Sequence, residues 1–349
     1  MTTTTETSTH DSTIAVVIPT YNRATWLGEV LEAAIGQTRR PDVVVVADNG
    51  STDETASVVA RYADTGIVRY LRRSSNIDPI LNQNEALAQV ETDYVILVPD
   101  DDRIYPDFLR QTSALLDASP NVGVVHTRFD VIDQRGTIVL HDIALVDPHS
   151  AHERGAEFIR RHMIDRWRVG FALARTDALR AVGFLAAGDR ADWLNADMVM
   201  WMETAVAWDF GYVPITLAAF RIHEGTLTAT RLGLGSHGYA LARGTPDQYL
   251  DVRTRFVERR RSDLDNADAL IELAQRSWRL DRIDYVSQTT FPERRRRTVV
   301  PELWAAFRGD RRVAIEPSAW RLLGVSLLGP TITRRLRGLK RSSKVASPA

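Results

Sequence analysis

Nine consecutive residues, Tyr94 to Asp102, constrain this chain more than any others. Tyr-Val-Ile-Leu-Val runs without a break into Pro-Asp-Asp-Asp. A short continuous apolar run is the pattern of a strand covered on both faces. Adjacent carboxylates at its end repel one another and raise each other's pKa. A positive charge beside them relieves that cost, and a hard divalent cation is the best match to an acidic, all-oxygen cluster. In open α/β sheets, ligands sit at the carboxyl ends of strands. The stretch therefore reads as a metal site at the mouth of an α/β sheet, with a solvated acidic loop as the plainer alternative.

The flanking chain supplies the sheet. Ile14–Ile18, Val43–Ala47 and Val68–Leu71 are apolar runs rich in β-branched residues, the pattern of strands. Trp26, Leu27, Val30, Leu31, Ala34 and Ile35 recur at helical spacing and predict a helix over 25–37. Ser51 or Thr52 is placed to cap a helix over 53–62. A loop over 74–82 and a helix over 84–90 lead into the strand at Tyr94. This alternation predicts an α/β fold built on a mainly parallel, doubly wound sheet. Right-handed crossovers bring the loops 19–23, 48–51, 72–82 and 100–102 to one edge.

Further on, a helix is expected over 106–116 and strands at 122–127, 129–132 and 138–140, with a turn at Gln134-Arg135-Gly136. Next come a helix over 155–163, an extended segment 169–174, and a helix 177–182 ended by Gly183. An amphipathic, Trp- and Met-rich helix over 195–207 precedes strands at 212–216 and 218–223. From about Arg231, four segments with basic faces (248–261, 265–278, 296–307 and 318–328) read as a C-terminal helical extension. The resulting plan is a polar tail 1–13, an α/β domain 14–230 divided at 104/105, a helical extension 231–330 and a basic tail 331–349.

The absence of cysteine removes disulfide frameworks, thiolate zinc sites and cysteine nucleophiles. Met1 to Thr13 lacks the apolar core of a secretory leader, and no apolar run is long enough to span a bilayer. A cytoplasmic location is expected, and no nucleic-acid partner. Residues 1–150 hold 22 acids and 11 bases, a net of −11; the remaining 23 acids and 33 bases give +10. The acidic half fits metal and substrate chemistry, the basic half anionic partners. Six bases and no acid follow Pro330, after the apolar segment 322–328. The stretch 322–344 thus suits peripheral contact with the inner face of a membrane as well as a flexible tail.

Three motifs stand in order: Val17-Ile18-Pro19-Thr20-Tyr21-Asn22-Arg23, then Ala47-Asp48-Asn49-Gly50-Ser51-Thr52-Asp53-Glu54-Thr55, then Val98-Pro99-Asp100-Asp101-Asp102. In this register they resemble the nucleotide-sugar-binding half of family 2 glycosyltransferases, which have the GT-A fold. The resemblance spans 14–143 and continues more weakly through Gly183-Phe184, Asp197 and Arg221-Ile222-His223. It implies an inverting enzyme that moves a sugar from a nucleotide diphosphate sugar, UDP- or dTDP-linked, to a hydroxyl of an acceptor. Polysaccharide, lipid-linked glycan and natural product all remain open as acceptors.

The resemblance also implies roles. Pro19, Thr20 and Tyr21 would wall the nucleobase pocket beside Arg23, and Asp48 would read the base imide or, in the plainer alternative, form an Asx turn. Asp101 falls near the ribose, Asp102 is the ligand of Mg²⁺ or Mn²⁺, and Asp100 supports them. His223 would approach the metal or the diphosphate, and Arg221 would meet phosphate or an acidic neighbour. Asn84 matches the Asn of the family's Arg-Asn pair, or caps a helix. Asp197 is expected to be the base that deprotonates the acceptor, with Asp192 as the alternative.

The chain departs from the pattern at three points. Asp78 stands where Gly is usual, Gln83 where Arg is usual, and Ala196 where an acid precedes the base. That last change keeps open a sugar-nucleotide-binding scaffold without activity. A nucleotidyltransferase calls for a Gly-rich, Lys-bearing phosphate loop after the first strand, which Pro19–Arg23 is not. No Gly-x-Gly-x-x-Gly follows a strand, against a dinucleotide oxidoreductase.

Overall fold

The computed structural model describes residues 12–144, 151–164, 169–185, 196–223 and 246–289, together with Trp304 and Arg308. Four strands and three helices alternate first: β1 (Ile14–Thr20), α1 (Ala24–Ile35), β2 (Val43–Asp48), α2 (Thr55–Ala60), β3 (Val68–Arg72), α3 (Pro79–Ala88) and β4 (Tyr94–Leu97). Their spatial order is β3-β2-β1-β4, with every neighbour parallel. Ile14 to Ile18 and Tyr94 to Ile96 are almost fully buried, as strands covered on both faces must be. The winding direction reverses between β1 and β4, and such a reversal opens a crevice at the carboxyl ends of the strands. The Asp100–Asp102 loop leaves β4 at that crevice.

The second half adds β5 (Arg103–Ile104), α4 (Phe108–Ala118), β6 (Val122–Ile132), β7 (Ile138–Ile143), β8 (His152–Glu153) and α5 (Gly155–His162). These are followed by β9 (Ala172–Arg175), α6 (Thr176–Ala181), a helix labelled α7 (Ala196–Ala205) and β10 (Asp209–Arg221). The parallel block stops at β4. β9 inserts antiparallel between β4 and β6, β10 runs parallel to β6, and β5 closes antiparallel on β10. β7 pairs with β6 and β8 with β10.

Several elements differ from the sequence expectation. α3 begins at Pro79 rather than 84, because Asp78 caps it: its carboxylate accepts the Ile80 amide at 2.9 Å and the Leu81 amide at 3.3 Å. Pro79 then occupies the first helical position, where its missing N–H costs nothing. The segments 122–127 and 129–132 form one strand. So do 212–216 and the expected 218–223, of which 218–221 is strand; β-bulges near Thr216 join them into one. Asp78→Ala is expected to cost about 1 kcal/mol, read as a lower urea midpoint at unchanged slope.

The chain divides into two compact units, one of residues 1–162 with 166–236, the other of 163–165 with 237–349. In the second, α8 (Pro246–Arg259) and α9 (Ala267–Thr289) are described, with Tyr249, Val252, Phe256 and Val257 buried. Apart from Trp304, the expected helices 296–307 and 318–328 and the basic stretch 322–344 lie outside the described residues. No described helix is long and apolar enough to cross a membrane.

Candidate active site

The turn after β1 and the loop after β2 are stitched together. Asn22, at φ +52°, donates its amide to Ser51 Oγ at 2.9 Å, and its Oδ1 accepts the Thr52 amide at 2.8 Å. Short amide side chains tolerate this left-handed geometry best. Asn49 clamps the next loop through both polar groups of Ile77: Nδ2 donates to its carbonyl and Oδ1 accepts its amide, each at 2.9 Å. Between them Gly50 sits at φ +78°, where an added Cβ would come within 2.7 Å of the Ser75 carbonyl carbon. Gly50→Ala therefore meets backbone strain and overlap together. A loss of about 1–3 kcal/mol is expected, visible as a lower melting temperature and weaker nucleotide binding.

These loops wall a cavity of about 480 Å³, a size ordinary for a small-molecule site. Pro19, Thr20, Tyr21, Arg23, Asp100 and Asp101 all line it; so do Asn49, Asn76, Gln83, Asp102 and Phe220. Asn49, Asn76 and Phe220 were not singled out from the sequence. The Asn-Gly step at 49–50 was the available signal for the first.

Asp48 and Asn84 lie elsewhere. Asp48 is wholly buried; Oδ1 accepts the Ser51 amide at 2.8 Å and Oδ2 accepts the Tyr70 hydroxyl at 2.5 Å. Burial and this hydrogen bond push the Tyr70 phenol well above its usual range. Asn84, inside α3, holds the carbonyl and amide of Leu185 at 2.8 and 3.1 Å and caps nothing.

The acidic loop is braced from the far end of the unit. The Asp102 carboxyl is buried, and its Oδ1 accepts the Arg221 amide at 2.8 Å. The Arg221 side chain, 1% exposed, donates from Nε to the Asp101 carbonyl at 2.7 Å and from NH2 to Glu29 at 2.9 Å. A third donation reaches the Asp133 carbonyl at 3.3 Å, and the guanidinium stands 5.9 Å from the Trp26 ring centre. Arg221 thus ties the acidic loop to α1 and to the turn between β6 and β7. Asp101 Oδ2 lies 2.9 Å from both Arg23 NH1 and His223 Nε2, and the His223 ring packs on Trp26 with centroids 4.3 Å apart.

Burial first, then the charge of Asp101, push Asp102 well above the usual carboxylate range and Asp100 up to about 7. A bound cation would relieve that penalty. Among the described residues, no three His, Asp or Glu groups converge as a ready ligand set. Asp102 with its acidic neighbours nevertheless fits a hard cation of the kind held by one or two carboxylates and substrate phosphates. The imidazole of His223 faces Asp101 and Arg23 here.

A second cavity, of about 230 Å³, opens beside the first. Gln83, Leu97, Pro99, Asp102 and Phe220 line both. Asp197, in the first turn of α7, lines only the second. It is exposed to open volume, yet protein surrounds it. That burial pushes its pKa up, against the opposing hydrogen bonds of the Met198 amide and its own. Asp192 lies outside the described residues.

A sequence model of the family described as "Glycosyl transferase family 2" matches residues 15–183. Among relatives, an uncharacterized glycosyltransferase of Rickettsia felis is 25% identical over 130 residues, 37% of this chain and 21% of its own length. The poly(ribitol-phosphate) beta-N-acetylglucosaminyltransferase TarS of Staphylococcus aureus is 31% identical over 106 residues, 30% of this chain and 18% of its own length. The chain therefore spans only about a fifth of the length of these two. In fold, it resembles S. aureus TarS 1-349 in complex with UDP-GlcNAc, at a TM-score of 0.55 and 18% identity, covering 86% of this chain and 82% of that one. It also resembles the mannosyltransferase PcManGT of Pyrobaculum calidifontis, solved with GDP-Man and Mn²⁺, at a TM-score of 0.50 and 18% identity over 92% and 81% of the two chains.

Proposed function

We propose that this chain, whose residues 15–183 match the model described as "Glycosyl transferase family 2", is an inverting glycosyltransferase that moves a sugar from a UDP- or dTDP-linked donor to an acceptor hydroxyl. One observation carries the reading: two cavities share the wall at Asp102, with Asp100 and Asp101 in the first and Asp197 in the second. The arrangement leaves room for a nucleoside diphosphate on one side of the reacting carbon and for a proton acceptor on the other.

In this reading Pro19, Thr20 and Tyr21 wall the nucleoside, and Asp101, oriented by Arg23, meets the ribose. A divalent cation, Mg²⁺ or Mn²⁺, held by Asp102 would neutralise the charge that grows on the departing diphosphate. Asp197 takes the proton of the acceptor hydroxyl as its oxygen approaches the anomeric carbon from the face opposite the leaving group. A single displacement of this kind inverts the anomeric centre. Asp48 does not need to touch the base; the hydrogen bonds it makes with Ser51 and Tyr70 shape the loop that does.

A thermal-shift screen of nucleotide sugars with Mn²⁺ tests the reading. A true donor at a hundred times its Kd stabilises the fold by about 2.7 kcal/mol. A flat response to every UDP- and dTDP-sugar would overturn it. We place the enzyme in the cytoplasm, with the basic stretch 322–344 against the inner membrane face, on the strength of its six bases without an acid. Co-sedimentation with anionic but not neutral vesicles checks this; equal recovery with both would remove it.

A further inference from the structure

The second cavity has an unusual wall for an enzyme that handles sugars. Leu87, Val95, Phe129, Phe171, Leu179 and Met200 face it from α3, β4, β6, the approach to β9, α6 and α7. Among the described residues, the side chains with polar groups that line it are Gln83, Asp102, Asp197 and, through its indole N–H, Trp201; Gln83 and Asp102 lie on the wall shared with the first cavity. The remaining side chains that the described residues bring to this wall are hydrocarbon. Its volume of about 230 Å³ equals roughly eight waters, close to one substituted ring. Polyhydroxylated rings ask for a hydrogen-bond partner at each buried hydroxyl, and an unpartnered one is costly. An apolar pocket discriminates against an added hydroxyl by up to about 10²-fold.

We propose that this cavity receives a hydroxyl-poor, apolar ring beside Asp197. The proposal rests on the glycosyltransferase reading above and narrows its substrate class. Two sources supply the same chemistry: a deoxygenated sugar on the donor, or the apolar aglycone of the acceptor. Gln83 agrees with either. It stands where the resemblance expects an arginine, and it puts a neutral amide at the junction of the two cavities.

Calorimetric titration of the full chain with Mn²⁺ separates the sources. For the donor, dTDP-glucose is compared with dTDP-6-deoxyglucose. For the acceptor, 4-methylumbelliferone is compared with glucose, each with and without saturating UDP. Tighter binding of the deoxy donor by about tenfold or more supports the proposal and assigns the cavity to the donor sugar. Binding of 4-methylumbelliferone where glucose gives none supports it and assigns the cavity to the aglycone. In either case Met200→Gln, close in shape but polar, should reduce the preference several-fold and leave UDP affinity unchanged, since Met200 does not line the first cavity. UDP binding with no preference in either arm overturns the proposal alone, as does a preference that Met200→Gln leaves untouched. Failure of both UDP and dTDP to bind overturns the glycosyltransferase reading instead; 4-methylumbelliferone without nucleotide then decides the cavity's preference by itself.

Discussion

Asp102→Asn is expected to abolish the Mn²⁺-dependent part of nucleotide binding. The substitution keeps the shape of the side chain and leaves an oxygen to accept the Arg221 amide, so the loop retains its brace. It removes the charge that a hard cation needs. Partners one layer out from a metal are worth 10–100-fold in affinity. A direct carboxylate in a site with few protein ligands should exceed that range. Titration of UDP with and without Mn²⁺ measures the effect. In the wild type the metal should raise UDP affinity by at least about 10²-fold, and in the variant the two curves should coincide. UDP binding by the wild type that is indifferent to EDTA would remove the metal role from Asp102. The fold is expected to survive, because a neutral amide at a buried position whose carboxyl is already hard to ionise loses little.

Asp197→Asn should act in the opposite way: donor affinity unchanged, transfer lost by roughly 10²–10⁴-fold, the usual contribution of a positioned base. Asp197 lines the second cavity and not the first, so UDP binding has no reason to change. A pH profile adds a second readout. Burial raises the Asp197 pKa, and only the deprotonated carboxylate accepts a proton. Transfer should therefore fall as pH drops through a value above the ordinary range for aspartate. That acid limb should vanish in the residual activity of the variant. Transfer that persists undiminished in Asp197→Asn would move the base to Asp192 or another group.

Much of the sheet and of the loops around the first cavity was legible in the sequence, for a physical reason. β1, β2 and β4 are covered on both faces, so each appears as an unbroken apolar run, and right-handed crossovers then fix which loops meet. The start of α3 is hidden in the expected loop 74–82, because Asp-Pro suits a loop as well as a cap followed by a first helical residue. The antiparallel entry of β9 was not readable, since it depends on Tyr94 meeting Arg175 across the sheet. The same limit hid the true partners of the polar residues. Nothing local to Asp48 announces Tyr70, nor anything near Asn84 announces Leu185, 101 positions away. Arg221 was read as a phosphate or acid partner. Its backbone and side-chain contacts with the acidic loop belong to a strand that the sequence showed only in fragments.

The grip of Arg221 on Asp102 spans 119 positions of chain, and that distance has a meaning in time. Ribosomes add about 5–20 residues per second, so roughly 6–24 s separate the emergence of the two residues. During that interval β1 to β4 have already appeared and their local pairings are free to form, but Asp102 has no strand to cover it. Its carboxyl is hydrated. The costly burial of this acid is thus deferred until β10 arrives with the amide that partly offsets it. A nascent chain released before residue 221 is expected to carry a nucleotide half with its sheet in place and its acidic loop untethered.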